Sequence, residues 1–162
     1  MKKINVTFIC AEAEEYPGCA DLLYSYPELN LVGLPTSLVG AATVKTLAIT
    51  DVLVFDESVL MRDGLQAVRS VHIGYPALNI LLVYKKHIIN NIMEYFSMGI
   101  RGLIEHDSRI SLLRRAIPAV YAGEVWMPRG LVQSLRNQST INGGSSSWEA
   151  FPSMMSDRGK IN

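Results

Sequence analysis

Asp56 closes an apolar run, Val52-Leu53-Val54-Phe55, and a carboxylate at the tip of a buried strand can take a phosphoryl group or hold a hard cation. Both tasks need company. A divalent ion wants several oxygen ligands, and phosphoryl transfer wants a hydroxyl and a fixed positive charge beside the moving oxygens. Such partners are scarce here, so Asp56 reads as the remnant of a site that has lost part of its chemistry. His72, His87 and His106 are too widely spaced to suggest a metal site. Lys85-Lys86-His87 with Arg101 makes a modest basic cluster at the sheet's active end, which reads as a solvated loop or as a place for an anion or an acidic partner. There is no nucleophile–base pair and no glycine-rich phosphate loop, and an enzyme is not expected.

The 162 residues are 49% hydrophobic and 19% charged, enough for one compact core plus an appendage. With a net charge of zero, no overall field draws in nucleic acid. Two cysteines, Cys10 and Cys19, are too few for a disulfide framework or a zinc cluster and read as buried thiols. The first residues run straight into a strand pattern, and no apolar stretch approaches the roughly 20 residues of a membrane span. A cytoplasmic protein without a membrane partner is expected.

Five apolar runs, residues 4–10, 29–34, 51–55, 80–83 and 101–104, are long enough for buried strands and too short for helices. Helical spacing recurs between them. Cys19, Leu22, Leu23 and Tyr24 precede Pro27, and Ser37 is placed to cap a helix through Leu47. Leu65, Val68 and Val71 follow an Asp63-Gly64 turn, and Ile88, Ile92 and Tyr95-Phe96 precede a closing Gly99. Leu112-Leu113, Ile117 and Val120 give a fifth helical face, opposite Arg109, Arg114 and Arg115. Apolar strands separated by helix-length segments pair in parallel with helices on both faces, so the expected fold is a doubly wound α/β sandwich. Its chemistry belongs at the carboxyl ends of the strands: Cys10-Ala11, Asp56, Tyr84 and Glu105-His106. Beyond Gly123, residues 125–135 form one more short helix or an extended arm, and residues 139–147 have linker composition.

Three segments resemble the receiver domain of two-component response regulators, in the branch that precedes a LuxR-type helix-turn-helix. They are Asp51-Val52-Leu53-Val54-Phe55-Asp56 with Asp63-Gly64-Leu65, then Gly99-Ile100-Arg101-Gly102-Leu103-Ile104, and Ala116 through Gly130, which contains Gly123-Glu124-Val125-Trp126-Met127-Pro128. The spacing fits from Lys3 to about Leu131. The resemblance implies a flavodoxin-like (βα)5 fold with a five-stranded parallel sheet. It also implies a receiver over residues 1–123, a C-terminal extension or short helix over 124–138, and a flexible linker and tail over 139–162. Met155-Ser156-Asp157-Arg158-Gly159-Lys160 resembles the start of a LuxR-type DNA-binding domain, so DNA would be read only by a separate C-terminal domain not present in this chain.

Carried over by the resemblance, Asp56 is the phosphoacceptor equivalent. The two acidic positions that would share magnesium with it fall on Cys10 and Ala11, and neither a thiol nor a methyl group is a ligand for that ion. Glu12, Glu14 and Glu15 just beyond read as solvated acids at a helix start. The hydroxyl position falls on Tyr84, whose ring would fill the pocket rather than line it. The lysine position falls on His106, the aromatic switch position on Leu103, and the usual proline on Leu60. Magnesium binding is therefore expected to be lost or weak, with no other cofactor. In such domains the fourth and fifth helices and the fifth strand form a common dimer surface, and a homodimer through that surface is expected.

Three functions compete. The first is a degenerate receiver that controls transcription through dimerisation or partner binding, independently of phosphate. The second is a phosphorelay receiver that accepts phosphate on Asp56 from a histidine kinase. The third is a small-ligand sensor with its pocket around Cys10, Tyr84, Lys85 and His106.

Overall fold

In the computed structural model, residues 2–10, 25–40, 45–85, 92–106 and 109–142 are described. The five apolar runs become strands β1 (Ile4–Ile9), β2 (Leu29–Gly33), β3 (Val52–Asp56), β4 (Asn79–Tyr84) and β5 (Ile100–Glu105). They form one sheet in the order β2-β1-β3-β4-β5, and every pair is parallel. The order reverses between β1 and β3, and the crevice at that reversal is where a doubly wound sheet binds its ligands. All five residues of the central strand β3 are buried, as expected of a strand covered on both faces.

Besides helical residues 45–47, five helices are described: α1 (Glu57–Asp63), α2 (Leu65–Gly74), α3 (Ile92–Ser97), α4 (Arg109–Tyr121) and α5 (Arg129–Asn142). Alternation along the strands divides the core in two. Ile9, Leu53, Phe55, Leu82 and Leu103 pack with Val59, Val68, Tyr95 and Phe96 from α1, α2 and α3. Phe8, Val54, Leu81, Val83 and Ile104 pack on the other face with Leu113, Ala116, Ile117 and Val120 of α4. The fifth helical face read from the sequence is thus the buried stripe of α4. The first predicted helix, over residues 19–24, lies outside the described residues.

Residues 57–63 form a helix, α1, which no periodicity in the sequence marked before the Asp63-Gly64 turn. Two local expectations are corrected. Ser37 does not cap the expected helix, although residues 45–47 are helical up to the Leu47 end read from the sequence. Residues 38–40 are bends with Gly40 at φ 129, and the Ser37 hydroxyl donates to Asp63 Oδ2 at 3.0 Å. Helix α5 is described as far as Asn142, past the linker start expected at Ser139. No described helix is long and apolar enough to cross a membrane.

Polar groups inside the sheet are accounted for. Thr7 is fully buried, its hydroxyl 2.7 Å from that of Thr50. Thr50 spends its own proton on the Thr46 carbonyl, so Thr7 is the donor of the pair. The outer edge of β5 is closed by the chain itself. Trp126 N–H donates to the Arg101 carbonyl at 3.0 Å, Leu103 N–H donates to the Trp126 carbonyl at 2.9 Å, and Gly102 and Trp126 form a parallel bridge.

Gly99 ends α3 with φ 93, its N–H bonded to the Phe96 carbonyl at 3.1 Å. A β-carbon there would lie 2.3 Å from Nδ1 of His72, inside any tolerable contact. Gly99→Ala therefore combines a left-handed backbone with an overpacked ring, and should lower stability by roughly 1–3 kcal/mol in urea unfolding.

Candidate functional site at the tip of β3

Asp56 both ends β3 and starts α1. Its backbone is extended (φ −97, ψ 170), and its Oδ1 accepts the N–H of Val59 at 3.1 Å. That is the geometry of a helix N-cap, in which a side-chain oxygen satisfies a donor left open by the first turn. The Ser58 hydroxyl donates to the same oxygen. Asp56 is only 7% exposed, yet both of these bonds fall on Oδ1. Among the described residues no hydrogen bond reaches Oδ2, the carboxylate oxygen left for an external donor.

A cleft of about 560 Å³ opens beside it, bordered by Asp56, Ser58, Arg62, Val83, Lys85 and His106. Parallel register explains the grouping, since Asp56 pairs with Val83 and Tyr84 with Glu105, so the residues following β4 and β5 share one end of the sheet. The loop after β4 is fixed by Glu57, whose Oε2 accepts the Lys85 N–H at 2.8 Å. Arg101 does not join Lys85. It is the second residue of β5, about 13 Å down the strand from its tip, so the basic cluster expected with it is not formed; Lys86 and His87 lie outside the described residues.

The remaining strand-end positions are split between the two cores. Ile9 pairs with Phe55, which sets Cys10 next to Asp56 on the same side of the sheet, but Cys10 is buried among Phe8, Val54 and Val83. Tyr84 and Leu103 are buried in the opposite core, 6% and 2% exposed. Burial, then the charge of Glu105, pushes the Tyr84 phenol up to about 12. Of the four residues expected to surround a small ligand, only Lys85 and His106 border the cleft; Cys10 and Tyr84 do not. Leu60 is buried under α1, and Ala11 lies outside the described residues.

Magnesium, which a receiver fold implies, needs hard oxygens in near-octahedral array. The described residues offer it the Asp56 carboxylate, engaged in capping, the Glu57 carboxylate, which accepts the Lys85 N–H, and a buried thiol, and they contain no group of three or more His, Cys, Asp or Glu that could hold a metal ion. This donor set does not fit the ion. Glu12, Glu14 and Glu15 lie outside the described residues.

Sequence reasoning missed a second carboxylate. Asp63, the last residue of α1, accepts Leu38 N–H at 2.7 Å, the Ser37 hydroxyl, and Arg62 Nε at 2.7 Å, while Arg62 also donates to the Thr36 carbonyl. The Asp63-Gly64 pair signals a turn, and Gly64 does close α1 at φ 84 with its N–H on the Leu60 carbonyl. Nothing local announces that Asp63 reaches back to residues 37 and 38. Two of the arginines expected opposite the apolar stripe of α4 are also engaged: Arg114 donates to the Tyr26 hydroxyl at 2.8 Å, and the Arg115 guanidinium lies 5.7 Å from the centroid of the Trp126 ring.

Hydrogen bonding from Arg62, and then from Leu38 and Ser37, outweighs burial and lowers the Asp63 carboxyl pKa. A carboxyl more acidic in the folded state stabilises the fold fully above its unfolded value near pH 4, and that contribution disappears as pH falls through the folded value. The urea midpoint of the native protein should therefore exceed that of Asp63→Asn at pH 6, and the gap should close below roughly pH 4.

Comparison with known proteins finds its likeness in structure. No protein-family model and no curated sequence matches the chain. Among solved structures, a LuxR-family two-component response regulator from Aurantimonas sp. SI85-9A1 superposes with a TM-score of 0.74 at 19% identity, covering 86% of this chain and 99% of that one. The isolated apo REC domain of RcsB from Salmonella enterica serovar Typhimurium gives 0.71 at 20% identity, covering 83% and 99%. The response regulator domain of Thermotoga maritima CheB gives 0.62 at 16% identity, covering 75% and 98%. The fold is that of a response-regulator receiver domain.

Proposed function

We propose that this chain is an atypical receiver module that regulates transcription by pairing with a second copy or with another protein, and that phosphate on Asp56 is not its signal. The observation that carries this reading is the use of Asp56 Oδ1 as a helix cap, bonded by Val59 N–H and the Ser58 hydroxyl. Phosphoryl transfer depends on preorganised charge around the transferred oxygens, and removing one such donor slows a reaction by about a hundredfold to a thousandfold. Here a buried thiol stands where the resemblance puts a metal ligand, an imidazole stands in the lysine position, and a core tyrosine stands in the hydroxyl position. In this reading magnesium binding is lost or weak. RcsB has been solved as dimers bound to DNA, which supports pairing as the output and DNA reading by a separate domain.

A second reading, acceptance of phosphate from a histidine kinase, is favoured by one feature: Oδ2 is left for the cleft that Lys85 and His106 border.

Intact-mass measurement after incubation with magnesium and acetyl phosphate separates the two. Little or no phosphorylated protein is expected; stoichiometric modification that vanishes in Asp56→Asn would establish the second reading. The cap itself predicts an asymmetry. Asp56→Asn, which keeps a capping oxygen, should stay close to the native melting temperature, whereas Asp56→Ala should lose about 1 kcal/mol.

A further inference from the structure

A second cleft, of about 630 Å³, opens at the amino end of the sheet, at the opposite end of β3 from Asp56. Its border forms where the loop before β3, the turn between α2 and β4, and the last residue of α4 meet: Thr50 and Asp51, Tyr75 and Leu78, Asn79, and Tyr121. Leu78, together with Leu47, gives it apolar walls. Among the described residues that border it, Asp51 alone carries a charge. A concave site of this size, apolar with a few fixed polar groups, suits a small ligand.

Asp51 is held in place from three directions. Its N–H donates to the Asn5 carbonyl at 2.8 Å, its carbonyl accepts the Asn79 N–H at 3.2 Å, and its Oδ2 accepts the Asn5 N–H at 2.9 Å. Its other oxygen meets a cation: the Lys2 ammonium lies 3.8 Å from Oδ1 and 5.9 Å from the centroid of the Tyr121 ring. One carboxylate oxygen and one aromatic face thus converge on an ammonium ion, and both attract it. Lys2 holds this place loosely. Its side chain is 74% exposed, its distance from Oδ1 is longer than a charge-assisted hydrogen bond, and exposed pairs of this kind contribute little. Lys2 does not itself border the cleft, so its stem leaves the apolar walls uncovered.

We propose that this cleft binds a small organic amine as its ammonium ion, which displaces Lys2 from Asp51 Oδ1 and lays its hydrocarbon part against Leu47, Leu78 and Tyr75. Tyr121 supplies the ring face. An anion is repelled by Asp51, and a neutral molecule forgoes the charge-assisted hydrogen bond on which the site turns. The proposal is independent of how Asp56 is used, because the two clefts lie at opposite ends of β3.

The test is an NMR titration of the isotope-labelled full chain with n-butylammonium chloride, with n-butanol at matched ionic strength as the neutral control. Saturable shifts of the Asp51, Asn79 and Tyr121 amides are expected with butylammonium in the millimolar range, and none with butanol. Asp51→Asn, which keeps an oxygen for the Asn5 N–H, should weaken binding at least roughly tenfold. Tyr121→Leu, at a partly exposed helix end, keeps apolar cover without a ring face and should weaken it about twofold to fivefold. This second variant decides the matter where Asp51→Asn does not fold. Lys2→Met removes the competing ammonium and should tighten binding about twofold to fivefold. Shifts that never saturate, or butanol binding as well as butylammonium, would overturn the site. Unchanged affinity in folded Asp51→Asn or in Tyr121→Leu would do the same, and affinity unchanged or weakened in Lys2→Met would overturn the displacement.

Discussion

A carboxylate at the end of a strand buried on both faces must find donors, because an unsatisfied charge in that position costs several kcal/mol. Asp56 finds them in the next turn of chain. Val59 and Ser58 bond to Oδ1, and this sets the direction in which α1 leaves the sheet. Much else depends on that exit. Leu60 and Val59 turn into the core, Glu57 is brought to the Lys85 N–H, and Arg62 and Asp63 arrive beside the loop after β2. The residue that looks most like a reactive centre is also a keystone of local folding.

Those two roles draw on different atoms of the same side chain. Oδ1 is committed to the helix start, and Oδ2 is left for the cleft. Any chemistry there must be supported by neighbours. Cys10 and Tyr84 lie next to the strand tips, but they are buried in the cores on opposite faces of the sheet rather than in the cleft. The scaffold has the shape of a receiver domain, and Cys10, Tyr84 and Leu103 near its strand ends serve packing.

The sheet was legible in the sequence because each strand is a short apolar run and because strands buried on both faces need no alternation to be recognised. The stripe of α4 and the closing turn at Gly99 were legible for similar reasons, periodicity in one case and a required positive φ in the other. Helix α1 was not. It has seven residues, only Val59 and Leu60 among them buried, too few for a helical period to emerge. Its best signal, an aspartate before an acidic first residue, coincides with the residue whose chemistry drew attention first. Ser37 and Asp63 show the complementary failure: each is an ordinary local signal, for a cap and for a turn, whose actual partner lies 26 residues away. Arg101 was misplaced although the run 101–104 already put it at the start of its strand, the end opposite Glu105-His106. The closure of β5 by Trp126 was invisible, since main-chain pairing leaves little trace in residue type.

Helix α1 spans about 10 Å from the tip of β3 toward the loop beyond β2. It is pinned by a carboxylate at each end, and at the far end Asp63 accepts the Leu38 N–H while Arg62 donates to the Thr36 carbonyl. A short rod fixed in this way has little slack with which to absorb a push. Anything that displaces Asp56 is passed along the rod to the neighbouring loop, so mechanical communication between the third and second strands runs over the top of the sheet and bypasses β1, which lies between them.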